Sequence, residues 1–157
     1  MRTDALLLRL QTEAQNIDYS EKLNFARTLC EESPSVINRL ALYNYKSLEE
    51  LLSFEFKNIC EIEDTLVAAM EAELTDYLDA HISGNEEYKQ IIRIVSLYLS
   101  FITHKPLHPA GLFTSDGSYE TTLDGSIVCP LRAAEISKPN ALCKYCSSVA
   151  TRGDYDA

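Results

Sequence analysis

Pro106 divides this chain into two kinds of sequence, and that break limits the folds open to it. Before it, apolar residues recur at helical spacing; after it come three further prolines, four glycines and few large apolar side chains in the remaining fifty or so residues. A segment so poor in core-forming residues cannot bury enough apolar surface to hold itself together. It must lean on the helical part, on a bound ion, or on both. Three of the five cysteines and one of the three histidines lie in it, as Cys129, Cys143, Cys146 and His108.

Upstream of the break, Leu6, Leu7, Leu10, Ala14 and Ile17 mark a first helix over residues 4–17. Asp18-Tyr19-Ser20-Glu21 has the form of a capping box opening a second helix through Leu23, Ala26 and Leu29. Ser33-Pro34 suits the start of a third, because a proline at the first helical position leaves no N–H unpaired. Ser47-Leu48-Glu49-Glu50 reads as a second capping box and predicts a separate short helix. Two long helices follow, from about Ile59 to Ile82 and from Asn85 to Lys105, joined at Gly84 as an antiparallel pair.

The chain carries 14 Lys and Arg against 24 Asp and Glu, a formal net charge of −10. Binding to a phosphate backbone needs clustered cations, so this balance argues against nucleic acid. It fits a solvated helical surface or a basic protein partner. The N-terminal run lacks the apolar stretch of a signal peptide, and Ile91 to Ile102 is broken by Arg93 and Ser96, short of the ~20 residues that cross a bilayer. The expected location is cytoplasmic. In a reducing compartment an odd cysteine count with a C-x-x-C pair points to metal or redox chemistry rather than structural disulfides.

Tyr119 to Cys129 predicts a β-hairpin, with Asp124-Gly125 in a type I′ turn between β-prone segments. Its base would bring His108 alongside Cys129. Cys143-x-x-Cys146 places two sulfurs within reach of one ion, the spacing common in structural zinc sites. Together these give a Cys3His set that can close a tetrahedral shell around Zn²⁺. His104 and Cys60 are rivals to His108 for the fourth position. A [4Fe-4S] cluster is the alternative cofactor, since one non-cysteine ligand is chemically possible.

Other signals have plainer readings. His81 on an apolar stripe fits a hydrogen-bonded core histidine, and Cys30 and Cys60 fit buried inert thiols. A di-iron carboxylate site needs Glu-x-x-His on two helices, whereas Leu78 stands three before His81. A thioredoxin-like pair would open a helix in a strand–helix context that the residues before Ala141 do not supply. No P-loop, dinucleotide-binding, nucleophile-elbow or H-E-x-x-H motif is present, and the balance leans away from an enzyme.

His108-Pro109-Ala110-Gly111, Asp124-Gly125, Cys129-Pro130 and Leu142-Cys143-Lys144-Tyr145-Cys146 together resemble an uncharacterised protein family of methanogenic archaea. The resemblance implies a helical N-terminal part, His108 grouped with the three cysteines, and a cytoplasmic archaeal protein with no assigned activity. An anaerobic host also favours the iron–sulfur alternative.

The expected fold is therefore mainly α. A bundle of five to six helices over 1–105 carries a small C-terminal β-hairpin metal-binding module over 106–150, with a flexible tail at 151–157. The expected function is a metal-binding accessory or protein-interaction role, with structural zinc held by His108, Cys129, Cys143 and Cys146. The rival is an iron–sulfur or open-site metal protein with a redox or catalytic role.

Overall fold

The computed structural model describes residues 1–114, 116–138 and 141–149. The chain is mainly helical. In order come α1 (Thr3–Ala14), α2 (Ser20–Glu32), α3 (Val36–Ser53), α4 (Asp64–His81) and α5 (Glu86–Leu97), with a four-residue α6 (Arg132–Glu135) and a 3₁₀ turn at Leu142–Tyr145 in the C-terminal third. The expected tail at 151–157 lies outside the described residues.

Helix α5 is the axis of the bundle. An amphipathic helix keeps one face in water, yet every residue from Ile94 to Ile102 is buried. That burial follows from neighbours on several sides, for α5 packs against α1, α3 and α4. Its last stretch, Tyr98–Thr103, runs on as a π-helical turn and stops at His104, which takes a left-handed φ of 53°. The wider turn leaves Ser100 Oγ and Thr103 Oγ1 buried without a hydrogen-bond partner among the described residues. Leu6, Leu10, Leu48, Leu51, Met70 and Leu74 close the core around α5. Among the described residues no helix is long and apolar enough to cross a membrane.

Several helix boundaries differ from those expected, each for a local reason. The Ser47–Glu50 box does not begin a helix. Helix α3 passes straight through it, because Ser47, Leu48 and Leu51 continue the buried stripe begun at Asn44. Helix α3 is capped by Ser35, whose Oγ accepts the Asn38 N–H at 3.2 Å, two residues beyond the Ser33 expected to cap it. No side-chain cap forms at the start of α2, so the Asp18–Glu21 box is not made. Helix α4 begins at Asp64 rather than near Ile59. The residues before it are held in extended form against the N-terminus, where Thr3 N–H donates to Cys60 O at 2.9 Å. Gly84 adopts the positive φ expected of it, at 72°. Asn85 beside it is also left-handed, and its side chain caps α5 by accepting the Tyr88 N–H at 3.3 Å.

The expected β-hairpin is not formed; among the described residues there is no β-strand. Thr121 and Ile127 meet in one isolated antiparallel bridge, and Val128 meets Val149 in one isolated parallel bridge. The turn chemistry explains the failure. A type I′ turn needs positive φ at both central residues, and of the Asp124-Gly125 pair only Gly125 has it, at 86°. Asp124 is instead engaged by the Thr122 hydroxyl and the Ser126 N–H. The turn therefore closes one residue earlier, with Gly125 N–H donating to Thr122 O at 3.0 Å, and leaves Leu123 fully exposed at its tip.

Where the bundle meets the C-terminal third, the buried Tyr98 hydroxyl donates to Glu50 Oε1 at 2.8 Å and Lys105 Nζ donates to the same oxygen at 2.9 Å. Burial alone would raise the Glu50 carboxyl. The bonds from Lys105 and Tyr98 outweigh it and hold the group below its ordinary range. A carboxyl depressed in the folded state stabilises above its unfolded pKa, and the contribution is lost as pH falls through the folded value. Urea unfolding of wild-type protein and Glu50→Gln should therefore differ near neutrality, with wild type more stable. The gap should narrow as pH drops through and below the usual carboxylate range; a pH-independent gap would contradict this account.

Candidate metal centre

One face of α3 holds the start of the C-terminal third. Arg39 and Tyr43 are four residues apart and so point the same way on a helix. Arg39 Nη2 donates to Leu112 O at 2.9 Å and Nη1 to Gly111 O at 3.4 Å, while the Tyr43 hydroxyl donates to Pro106 O at 2.6 Å. Next to these anchors, residues 109–114 and 116–118 form a tight loop. Thr114 Oγ1 donates within it toward Gly111 O at 3.0 Å and Ser118 O at 2.6 Å. Gly111 takes a φ of 77° and lies against the backbone of Gly117 so closely that a Cβ there would sit 2.0 Å from Gly117 O.

The C-x-x-C pair rides on the 3₁₀ turn, which packs against α4. Lys144 Nζ meets Glu73 Oε1 at 2.7 Å, and Tyr145 lies 6.5 Å from the Phe101 ring of the π-helical turn. Cys129 is brought to the same place by its N–H, which donates to Val149 O at 2.7 Å. The isolated bridge of Val128 with Val149 thus brings Cys129 to the C-terminal turn, whereas neither bridge involves His108.

The loop and these short pairings enclose a cavity of about 270 Å³, lined by His108, Phe113, Tyr119, Val128, Cys129 and Cys146 among others. Three of the four expected donors therefore face one space. Cys143 stands beside it. Its thiol is pushed up first by burial, then by the neighbouring Cys146 sulfur and by Cys129 and Glu135, while Arg132 opposes the shift. Cys146 Sγ accepts the Leu107 N–H at 3.4 Å and pairs with Ser148 Oγ at 3.0 Å. Nearby, the Tyr43 hydroxyl is pushed up to about 12, chiefly by burial and then by the Cys146 sulfur and Glu50. His108 rests edge-on against Phe113 at 5.2 Å, and burial lowers its imidazole pKa.

The donor chemistry fits a thiophilic ion, and the donors share one neighbourhood. As placed, however, no group of three or more His, Cys, Asp or Glu side chains among the described residues is arranged to hold a metal. The rivals fare less well. His104 is exposed at the end of the π-helical turn, Cys60 is exposed beside Thr3, and neither lines the cavity. His81 is exposed rather than buried, stacked on Tyr77 with its Nδ1 2.9 Å from Tyr77 O.

Sequence reasoning missed Arg132. Its Nη1 donates to Cys143 O and, at 3.4 Å, to Cys146 O. It also missed Ser148, two residues after Cys146, and the Leu107 N–H, which no spacing rule links to a cysteine 39 residues further along the chain.

The chain belongs to the family described as an uncharacterized protein conserved in archaea (DUF2115), which it matches over residues 4–151. It is 32% identical over 83 residues to a UPF0305 protein of Methanothermobacter thermautotrophicus, covering 49% of this chain and 50% of that protein. It is 29% identical over 101 residues to UPF0305 protein MMP0665 of Methanococcus maripaludis, covering 64% of the chain and 57% of the relative. The matched stretch thus spans about half the length of these curated relatives. UPF0305 protein MmarC7_1691 of another Methanococcus maripaludis strain aligns over 93% of the chain and 95% of its own length, at 24% identity. No solved structure matches the chain.

Proposed function

We propose that this member of the DUF2115 family is a metal-binding accessory or interaction protein in which Cys129, Cys143 and Cys146, with His108 as fourth ligand, hold one zinc ion. The observation that carries it is the convergence of His108, Cys129 and Cys146 on one cavity, with Cys143 beside them, in a segment that has almost no core of its own. Binding would draw the donors the remaining distance together, so that the ion closes residues 106–149 against α3 and α4. Structural zinc in small peptides contributes ~10–16 kcal/mol in apparent terms, ample to order a segment of this kind. A full shell of four protein ligands leaves no position for water or substrate, which makes the ion a staple. The work then falls to the surface, and the net charge of −10 suits a basic protein partner.

Metal analysis of protein purified without oxygen tests the reading. One zinc per chain and no visible absorption is expected. Stoichiometric iron and sulfide would replace zinc with a [4Fe-4S] cluster, and absence of metal would remove the site.

One observation favours a second reading. The cavity opens directly beside His108. With His108 outside the shell, three cysteines leave one position facing that space, suited to an exchangeable ligand or a redox role. A His108→Ala variant that keeps its full metal content supports this second arrangement; loss of metal supports the closed one.

A further inference from the structure

We infer that Arg132 is a positioning residue for the proposed metal centre: its guanidinium fastens the two ends of the Cys143–Cys146 turn so that both sulfurs face one ion. The inference rests on the metal-binding reading above and adds to it a residue outside the ligand set.

Arg132 opens α6 three residues after Cys129, and its backbone N–H donates to Cys129 O at 3.3 Å. Its side chain crosses to the other half of the site. There a single nitrogen, Nη1, donates to the carbonyl of Cys143 and also to that of Cys146, at 3.4 Å for the second. The turn is closed from inside as well, since Cys146 N–H donates to Cys143 O at 3.1 Å. One residue thereby ties all three cysteines: Cys129 through its main chain, and the pair through its side chain.

Two features separate this from a chance surface contact. Both acceptors belong to the cysteines themselves rather than to Lys144 or Tyr145 between them. The cation is also placed where three thiolates would gather, and Glu135 is the acidic group nearby on the same short helix. Three thiolates, one neutral imidazole and a divalent ion sum to −1, so the guanidinium offsets the charge of the shell itself, while Glu135 adds a further negative charge nearby. Arginine suits the task because its fork is planar, always charged and offers several donors in fixed geometry. Lysine would supply the charge and donors, but on a freely rotating ammonium whose N–H directions are not fixed as those of Nη1 are.

The test uses the full chain, metal-free and then loaded with Co²⁺, which reports tetrahedral thiolate ligation through its visible bands. Arg132→Gln should bind Co²⁺ about 10- to 100-fold more weakly, the usual cost of losing a group that orients metal ligands. Its visible bands should weaken or shift, while its far-ultraviolet circular dichroism matches wild type. Arg132→Lys should recover at most a small part of the affinity. Wild-type affinity and spectrum in Arg132→Gln would overturn the inference. So would full recovery in Arg132→Lys, which would reduce the role to charge, or loss of helix in both variants, which would make Arg132 a folding residue. Failure of the metal reading itself looks different, because wild-type protein would then take up no Co²⁺.

Discussion

Replacing Cys143 by serine is expected to bring metal content from one ion per chain to near zero while leaving the helical body intact. Cys143 and Cys146 supply half of the proposed shell, and a serine hydroxyl is a poor substitute for a thiolate at a zinc or iron centre. The core around α5 draws on α1, α3 and α4 and contains none of the four proposed ligands. The helical circular dichroism signal should therefore survive. Ordering of residues 106–149 should not, because Leu112 is the one large apolar side chain that this stretch buries fully among the described residues. Limited proteolysis gives the contrast. Metal-loaded wild type should resist cleavage between Pro106 and Val149, and Cys143→Ser should be cut there as fast as chelator-treated wild type. Cys30→Ser is the control, since Cys30 lies on α2 and does not line the cavity; it should keep both metal and protection. A Cys143→Ser protein that retains full metal and full resistance would remove Cys143 from the site.

The helices were largely legible because burial repeats at the helical period. Leu6, Leu10 and Ala14 on α1 announce their buried face directly. On α4 the buried residues are Val67, Met70, Leu74 and Leu78, whereas His81, expected on the apolar stripe, is exposed. What periodicity could not give was the end of α5. Nine successive buried residues erase the contrast between faces, and no residue type in Tyr98–Thr103 demands a π-helical turn. Local capping signals also misled where packing overrode them. Ser47 looks like a helix start, but its neighbours Leu48 and Leu51 are both fully buried, and their burial outweighs any gain from a cap.

For the candidate site the sequence supplied a set of residues to consider and no geometry. Cysteine spacing named Cys143 and Cys146, and the compositional poverty of the segment implied a staple. The path by which Cys129 and His108 reach them was misread, because Asp-Gly is only a statistical sign of a type I′ turn. Here Asp124 prefers its own side-chain bonds. The parallel bridge of Val128 with Val149 and the grip of Arg39 on Gly111 and Leu112 are contacts between residues far apart in sequence. No local pattern encodes them.

That grip makes Gly111 the residue whose substitution should most disturb the cavity without touching a donor. Alanine at a φ of 77° costs on the order of 1–3 kcal/mol from backbone strain alone. The steric conflict is added to this: a Cβ would fall 2.0 Å from Gly117 O and 2.6 Å from Gly117 C, and neither backbone atom can swing away as a side-chain end could. Relief requires the loop over residues 109–114 and 116–118 to open, which removes one wall of the cavity and lengthens the reach from His108 to the cysteines. Gly125→Ala separates the two contributions. Its φ of 86° carries a similar backbone cost, but nothing lies within 4 Å of its Cβ position. Gly111→Ala should therefore lose more stability than Gly125→Ala and show faster amide hydrogen exchange at Leu112 and Thr114. In the metal-loaded protein it should also release the ion faster to a chelator. Both variants should keep wild-type exchange in α5, because the loop lies outside the bundle core. Equal losses in the two variants would mean that the loop yields without opening, and that the close approach of Gly111 to Gly117 does not shape the cavity.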